Sequence, residues 1–210
     1  MPIVVYKLGG SLLTLPDLRE RLIPILSRAM EHPLLIVGGG EAADIVRRWD
    51  EQFEIGEERA HWLALRAMAF NEQLVQSILS GSRIVTSLDE ARLAWEMAEI
   101  PILCAHDFLA CEENTALEVR CVPPLPHVWS VTSDSIAAWV AIKFAASALV
   151  LLKSCDPSPA SNANAADSTD VDPYFRNLAL HPLAIEWVNL RTGVPRRVRW
   201  TVPIAAQSSD

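Results

Sequence analysis

A three-layer αβα sandwich around a mainly parallel sheet is the α/β fold that three features of this 210-residue chain predict. Short apolar runs alternate with longer segments of helical period, the order that right-handed βαβ crossovers produce. Two glycine turns stand directly after strand-like runs, Gly9-Gly10 after Ile3–Leu8 and Gly38-Gly39-Gly40 after Leu34–Val37. Half the residues are apolar, enough to fill a sizeable core that covers the sheet on both faces. In such sheets ligands bind beyond the carboxyl ends of the strands.

The elements follow in order. Ile3–Leu8 is the first strand. Leu15–Met30 reads as a helix opened by Pro16 and Asp17, with Pro24 expected to kink or delay it. Leu34–Val37 is the second strand and Glu41–Trp49 the helix after it. Glu57–Ser80 is a long helix with Trp62, Leu65, Met68 and Ala69 on one face, ended by Gly81. Arg83–Val85 is a short strand, and Ser87-Leu88-Asp89-Glu90 has capping-box spacing for a helix through Met97. Pro101–Ala105 is a strand. An irregular, proline-rich stretch follows to Pro123-Pro124-Leu125-Pro126-His127. Ser133 and Asp134 open an apolar helix to about Ala146, and Ala148–Leu152 is a buried strand. Pro173–Leu180 reads as a short helix and Ala184–Leu190 as a strand.

One domain over residues 1–206 accommodates this pattern, with a frayed tail at 207–210. Residues 154–170 are small, polar and unpatterned, and are expected to form a mobile loop. A formal net charge of −8 argues against broad nucleic-acid binding. The basic run Arg191…Arg196-Arg197-Val198-Arg199 reads as a solvated edge strand or turn, or else a local basic patch. Cys104, Cys111, Cys121 and Cys155 have neither C-x-x-C nor zinc-like spacing and read as reduced thiols, several of them buried. No apolar run approaches the roughly 18 residues of a membrane span. Met1-Pro2-Ile3-Val4-Val5 lacks the basic start of a signal peptide, so a cytoplasmic location is expected.

Glycine turns between strand and helix leave backbone N–H groups at a helix N-terminus, where the dipole favours anions. Neither G-x-x-x-x-G-K-[ST] nor G-x-G-x-x-G is present. Lys7 instead lies inside the first strand. It is either an amine reaching toward an anion held by Gly9, Gly10 and Ser11, or a half-exposed strand lysine. Thr132-Ser133-Asp134-Ser135-Ile136-Ala137-Ala138 enters the apolar helix, where Asp134 is either a simple cap or a group that orients a lysine. Lys153, at the end of the following strand, reaches the same sheet edge.

Together, Lys-x-Gly-Gly-Ser after strand one, Gly-Gly-Gly after strand two and Ser-Asp-Ser-x-Ala-Ala before an apolar strand resemble the amino acid kinase family over residues 3–156. That family includes acetylglutamate, aspartate, uridylate and isopentenyl phosphate kinases. The stretches Ala60–Met68, with its His61-Trp62 pair, and Leu125–Ser135, with Pro126-His127-Val128-Trp129, are similar to one branch of it. That branch phosphorylates aminomethyl-furanmethanol phosphate on the way to methanofuran, a one-carbon carrier.

The resemblance implies an ATP-dependent kinase with magnesium carried on the nucleotide, a small anionic acceptor, and a homo-oligomer without nucleic-acid or membrane partners. It gives Lys7 the transferring phosphoryl group. Gly9, Gly10, Ser11 and Lys153 take the nucleotide phosphates, and Gly38, Gly39 and Gly40 take the acceptor anion. Asp134 orients Lys7 and organises the phosphates. His61, Trp62, His127 and Trp129 become acceptor-pocket candidates, although Trp62 also fits a core position and His127 an ordered loop. Family members usually read Val-Asp-Gly where this chain has Cys155-Asp156-Pro157, which exchanges conformational freedom for a fixed φ. That departure leaves two other readings open: a kinase for a carboxylate or a different phosphate monoester, and a non-catalytic small-anion binder.

Overall fold

A computed structural model describes residues 1–27, 30–113, 122–157, 170–193 and 195–200. Its strands are β1 (Ile3–Leu8), β2 (His32–Val37), β3 (Ser82–Val85), β4 (Ile100–Leu103), β5 (Ala148–Lys153), β6 (Ala184–Asn189) and β7 (Arg197–Trp200). They form one sheet in the order β3-β4-β2-β1-β5-β6-β7, parallel throughout except for β7, which runs antiparallel to β6 at the edge. The chain leaves β1 toward β2 on one side and later returns to β5 on the other. The strand order therefore reverses at β1, and the crevice of a doubly wound sheet opens at the carboxyl ends of β1, β2 and β5.

The helices are α1 (Leu18–Leu26), α2 (Gly40–Phe53), α3 (Glu57–Ile78), α4 (Leu88–Glu96), α5 (Ala105–Glu113), α6 (Ser133–Lys143) and α7 (Phe175–Leu178). Two apolar clusters cover the two faces of the sheet. Val4, Tyr6, Leu8, Leu35, Val37, Val150 and Leu152 meet Leu18, Leu22 and Leu26 of α1 on one face. On the other, Val5, Leu34, Ile36, Leu149 and Leu151 meet α4, α5 and α6, including Ala91, Phe108 and Trp139. Successive strand residues point to opposite faces, so only strands buried on both sides produce such uninterrupted apolar runs. The long α3 serves both clusters, with Leu65 and Met68 in one and Val75 in the other.

Several elements differ from the sequence expectation. The helix expected over Leu15–Met30 is shorter, α1 at Leu18–Leu26, and a 3₁₀ turn, Gly10–Thr14, precedes it. Pro24 lies in the last turn of α1, which ends two residues later at Leu26. Proline has no N–H for the carbonyl four residues back, at Glu20, and its ring crowds that carbonyl, which accounts for a helix that ends soon after it. Helix α5 falls in the stretch expected to be irregular. It follows β4 without a glycine or a side-chain signal of its own, and its N-terminal Ala105 N–H is capped from afar by Glu72 Oε1 at 3.2 Å. The expected cap of α4 forms: Ser87 Oγ accepts from Glu90 N–H at 3.2 Å, while Glu90 Oε2 accepts from Thr86 N–H at 2.6 Å.

The basic run does supply the edge strand β7, but Arg197 turns inward. It pairs with Glu186 and Glu31, reaches the Tyr6 hydroxyl and lies 5.3 Å over the Tyr6 ring. Of the expected loop, Ser154–Pro157 and Asp170 are described, and Trp187 Nε1–H donates to Cys155 C=O at 2.8 Å. Residues 158–169, Cys121 and the tail at 207–210 lie outside the described residues. Cys104 is buried, whereas Cys111 and Cys155 are exposed. Among the described residues no helix is long and apolar enough to cross a membrane.

Candidate active site

The two glycine turns touch. Gly9 donates its N–H to Leu152 C=O at 2.9 Å, and Gly38 donates to Leu8 C=O at 2.8 Å, so the first glycine of each turn extends the strand ladder. The sequence reading gave the Gly9 amide to a phosphate; the structure commits it to β5. Free donors begin one residue later. The N–H groups of Gly10 and Ser11, and of Gly39 and Gly40, make no backbone hydrogen bond among the described residues, as befits the first donors of helical turns. Gly40 has φ +48°, and a Cβ there would lie 2.8 Å from Gly10 O. A side chain is excluded by conformation and by space alike.

Over these turns sits a buried ion cluster. Lys7 and Asp134 are 4% and 5% exposed, and Lys7 Nζ lies 2.9 Å from Asp134 Oδ1. Lys153 Nζ donates to Asp134 Oδ2 at 2.7 Å and to Asp170 C=O at 2.8 Å. The chain has three lysines, Lys7, Lys143 and Lys153, and two of them share this carboxylate. Lys7 and Lys153 thus take one carboxylate oxygen each, Oδ1 and Oδ2. Burial is the strongest influence on Lys7 and pulls its pKa down, with Asp134 opposing it. Burial alone would raise the Asp134 carboxyl, but Lys7 and Lys153 outweigh it and hold the group below its ordinary value. Ser11 Oγ donates to Ser154 Oγ at 3.1 Å, tying the first turn to the end of β5.

Beside Gly39 and Gly40 lies a cavity of about 180 Å³, lined by Asp44, Arg47, His61, Leu65, Met68 and Trp129 among others. This is below the roughly 300–1,000 Å³ of pockets for drug-sized ligands, so it suits a small molecule. Arg47 stacks 4.3 Å over the Trp129 ring, whose Nε1–H donates to Asp50 Oδ2 at 2.6 Å. Of the four aromatic candidates, His61 and Trp129 line this cavity. Trp62 and His127, with His61 again, line a smaller one next to it that also includes Leu125 and Trp139. His61 and His127 stack at 5.1 Å, and Trp62 meets His127 edge-on at 5.2 Å. Burial, with His127 nearby, pushes His61 down to about 4, so its ring is neutral at pH 7.

Two supporting residues escaped sequence reading. Asn71 Nδ2 donates to Gly38 C=O at 2.9 Å and Gly39 C=O at 2.7 Å, fixing the second turn from α3. Glu72, next to it, is fully buried. Burial pushes its carboxyl up to about 7, against help from the Ala105 N–H and the Cys104 thiol. The folded state thus keeps a proton that the unfolded chain releases from pH 4.5 upward. Stability from this group is complete below pH 4.5 and lost as pH rises to about 7, by about 3 kcal/mol in all. Glu72→Gln should match wild type near pH 5 and exceed it at pH 8 by about 1–3 kcal/mol in urea melts. An unchanged pH 5 to pH 8 difference in the variant would contradict the buried-carboxyl account.

Among the described residues no group of three or more His, Cys, Asp or Glu converges as a metal site. What the geometry offers is amines and N–H groups around one carboxylate, an arrangement for neutralising and aligning anions.

The model of the amino acid kinase family matches residues 2–157. The chain is 26% identical over 139 residues to [5-(aminomethyl)furan-3-yl]methyl phosphate kinase of Methanocaldococcus jannaschii, a match covering 65% of this chain. It spans 58% of that relative's length. In fold it is similar to UMP kinase from Ureaplasma parvum, with a TM-score of 0.68, 14% identity and 93% of each chain covered. It is also similar to aspartate kinase from Synechocystis, with a TM-score of 0.67 and 12% identity, covering 99% of this chain and 41% of that one.

Proposed function

The chain belongs to the amino acid kinase family, and from that membership we propose that it transfers the γ-phosphoryl group of ATP to a small phosphate monoester. The acceptor is of the aminomethyl-furanmethanol phosphate type, the product is a diphosphate, and the setting is methanofuran-like one-carbon cofactor synthesis in the cytoplasm. The observation that carries this reading is Asp134 held between Lys7 and Lys153 above two touching glycine turns.

Phosphoryl transfer between two anions is catalysed by alignment and charge neutralisation, with little covalent work for the protein. The Gly10 and Ser11 amides and Lys153 hold the nucleotide phosphates. The Gly39 and Gly40 amides hold the acceptor's phosphate. Lys7, buried near the carboxyl end of β1, meets the group in transfer, where preorganised charge lowers the barrier most. A phosphate acceptor is already nucleophilic, so no strong base is required. The carboxylate among these donors is already held by two lysines, so magnesium is carried by the ATP phosphates, where it adds charge neutralisation.

The flat faces and apolar walls of the cavity, Trp129, neutral His61, Leu65 and Met68, suit a small ring. Trp129→Ala should raise the KM for the acceptor about tenfold and leave the KM for ATP within about twofold; equal changes in both would remove Trp129 from the acceptor side. Exposed apolar side chains at helical spacing on α2, Ile45, Trp49 and Phe53, support self-association. The decisive experiment incubates the protein with Mg·ATP and a panel of phosphate monoesters and amino acids, read by mass spectrometry. A new diphosphate on a furan-type monoester is expected. An acyl phosphate, or tight ATP binding with no transfer to any acceptor, would overturn the reading.

A further inference from the structure

Residues 170–172 grip the site from outside. Asp172 is 8% exposed, and its carboxylate accepts from five donors. Oδ2 takes Thr132 N–H at 3.0 Å, Thr132 Oγ1–H at 2.7 Å and Ser135 N–H at 3.0 Å. Oδ1 takes the Ser135 hydroxyl and Phe175 N–H, the latter at 3.0 Å. Its two oxygens offer about four lone-pair directions, so the group is saturated. Thr132, the N-cap of α6, makes no side-chain cap bond of its own; Asp172 caps the helix instead, from forty positions downstream.

From this geometry we propose that Asp172 is a positioning residue for phosphoryl transfer, locking the first turn of α6 so that Asp134 meets both lysines; this rests on the kinase reading above. Asp134 lies between the two residues that Asp172 holds. With amide and hydroxyl fixed at both 132 and 135, the intervening backbone has one arrangement. The same strand of chain also fixes the opposite partner, because Asp170 C=O accepts from Lys153 Nζ at 2.8 Å. Residues 170–172 therefore hold both the carboxylate and one of its lysines. The buried neighbours Val171 and Phe175 anchor the segment in the core. An asparagine at 172 keeps the shape but turns one acceptor oxygen into an NH₂ facing donors, and leaves two or three buried groups unpaired.

Lysine labelling tests this without reference to turnover. Wild type and Asp172→Asn are pulsed with an N-hydroxysuccinimide ester, and each lysine is quantified by mass spectrometry. Lys143, ion-paired with Glu112 at the far end of α6, is the internal reference. Lys7 and Lys153 should acylate about fivefold faster in the variant with Lys143 unchanged, the signature of local opening. Unchanged rates, or an equal rise at all three lysines, would overturn the proposal. Ser135→Ala, which removes one donor, should give a smaller rise in the same direction if Asp172→Asn fails to fold. In the transfer assay, kcat of Asp172→Asn should fall about tenfold with KM for ATP within about twofold, and the change should cost nothing further in an Asp134→Asn background. A loss fully additive to that of Asp134→Asn would also overturn it. If the wild type transfers phosphate to no acceptor, the kinase reading falls alone, and the labelling still decides what Asp172 holds.

Discussion

Asp134→Asn is expected to lower kcat by about a thousandfold at saturating ATP and acceptor, the scale of losing a principal charge-organising group in a water-poor site. The carboxylate is the shared partner of Lys7 and Lys153. Removing its charge leaves two ammonium groups close together with only a neutral amide between them. Burial already pulls the Lys7 pKa down, and Asp134 is what opposes it; without Asp134 the pKa falls further. The amine then spends more of its time neutral, just where positive charge is needed. Because the two residues act as a unit, Lys7→Ala should cost about as much, and the double variant little more than either. Breaking one partner out of a buried pair also costs about 3–5 kcal/mol of stability, so the rates belong alongside circular dichroism at the assay temperature. Near wild-type kcat in a folded Asp134→Asn protein would remove the ion cluster from the proposed mechanism.

Much of this site is legible in the sequence because its parts are local. A lysine two residues before paired glycines, and an aspartate in the first turn of an apolar helix, are spacings that a strand–turn–helix unit must place at one sheet edge. Lys153 follows from the same logic at the end of β5. What joins these pieces is not local. Asn71 and Asp172 reach their partners across 33 and 40 positions, and neither stands in a pattern that marks it. Helix α5 was hidden for the same reason, since its cap is Glu72 on another helix. Arg197 reads as a solvated edge residue within its basic run, and only the tertiary fold brings Glu31 and Tyr6 to it.

The aromatic candidates show a different limit. Neighbours on a helix are separated by about 100° around its axis, and of His61 and Trp62 only His61 reaches the larger cavity beside Gly39 and Gly40. His61 lines both that cavity and the smaller adjoining one, whose wall it shares with Trp62 and His127. A motif read as one set of four thus becomes two layers. His61 and Trp129 lie against the small-molecule cavity, and Trp62 and His127 pack next to it. His127 stacks on His61 where the two layers meet.

Gly10→Ala should be the most damaging single-methyl change in the chain, destabilising by about 3 kcal/mol or more and removing detectable transfer. A Cβ at this position would overlap Gly40 N and Cα. Both are backbone atoms, so no rotamer change relieves the clash, and the two turns must move apart. Gly40 is tight on its own side as well: at φ +48° a Cβ there would lie 2.8 Å from Gly10 O. Separation would spread the Gly10 and Ser11 amides away from the Gly39 and Gly40 amides. Donor and acceptor phosphates would then lose their in-line approach even in molecules that remain folded. Gly193→Ala is the matched control, since a Cβ there meets nothing within 4 Å; it should change stability by no more than about 0.5 kcal/mol. Urea melts of the two variants side by side, with transfer rates on the folded fraction, separate the contributions. If Gly10→Ala melts and turns over like Gly193→Ala, the two turns do not need their contact, and the site would have to be built some other way.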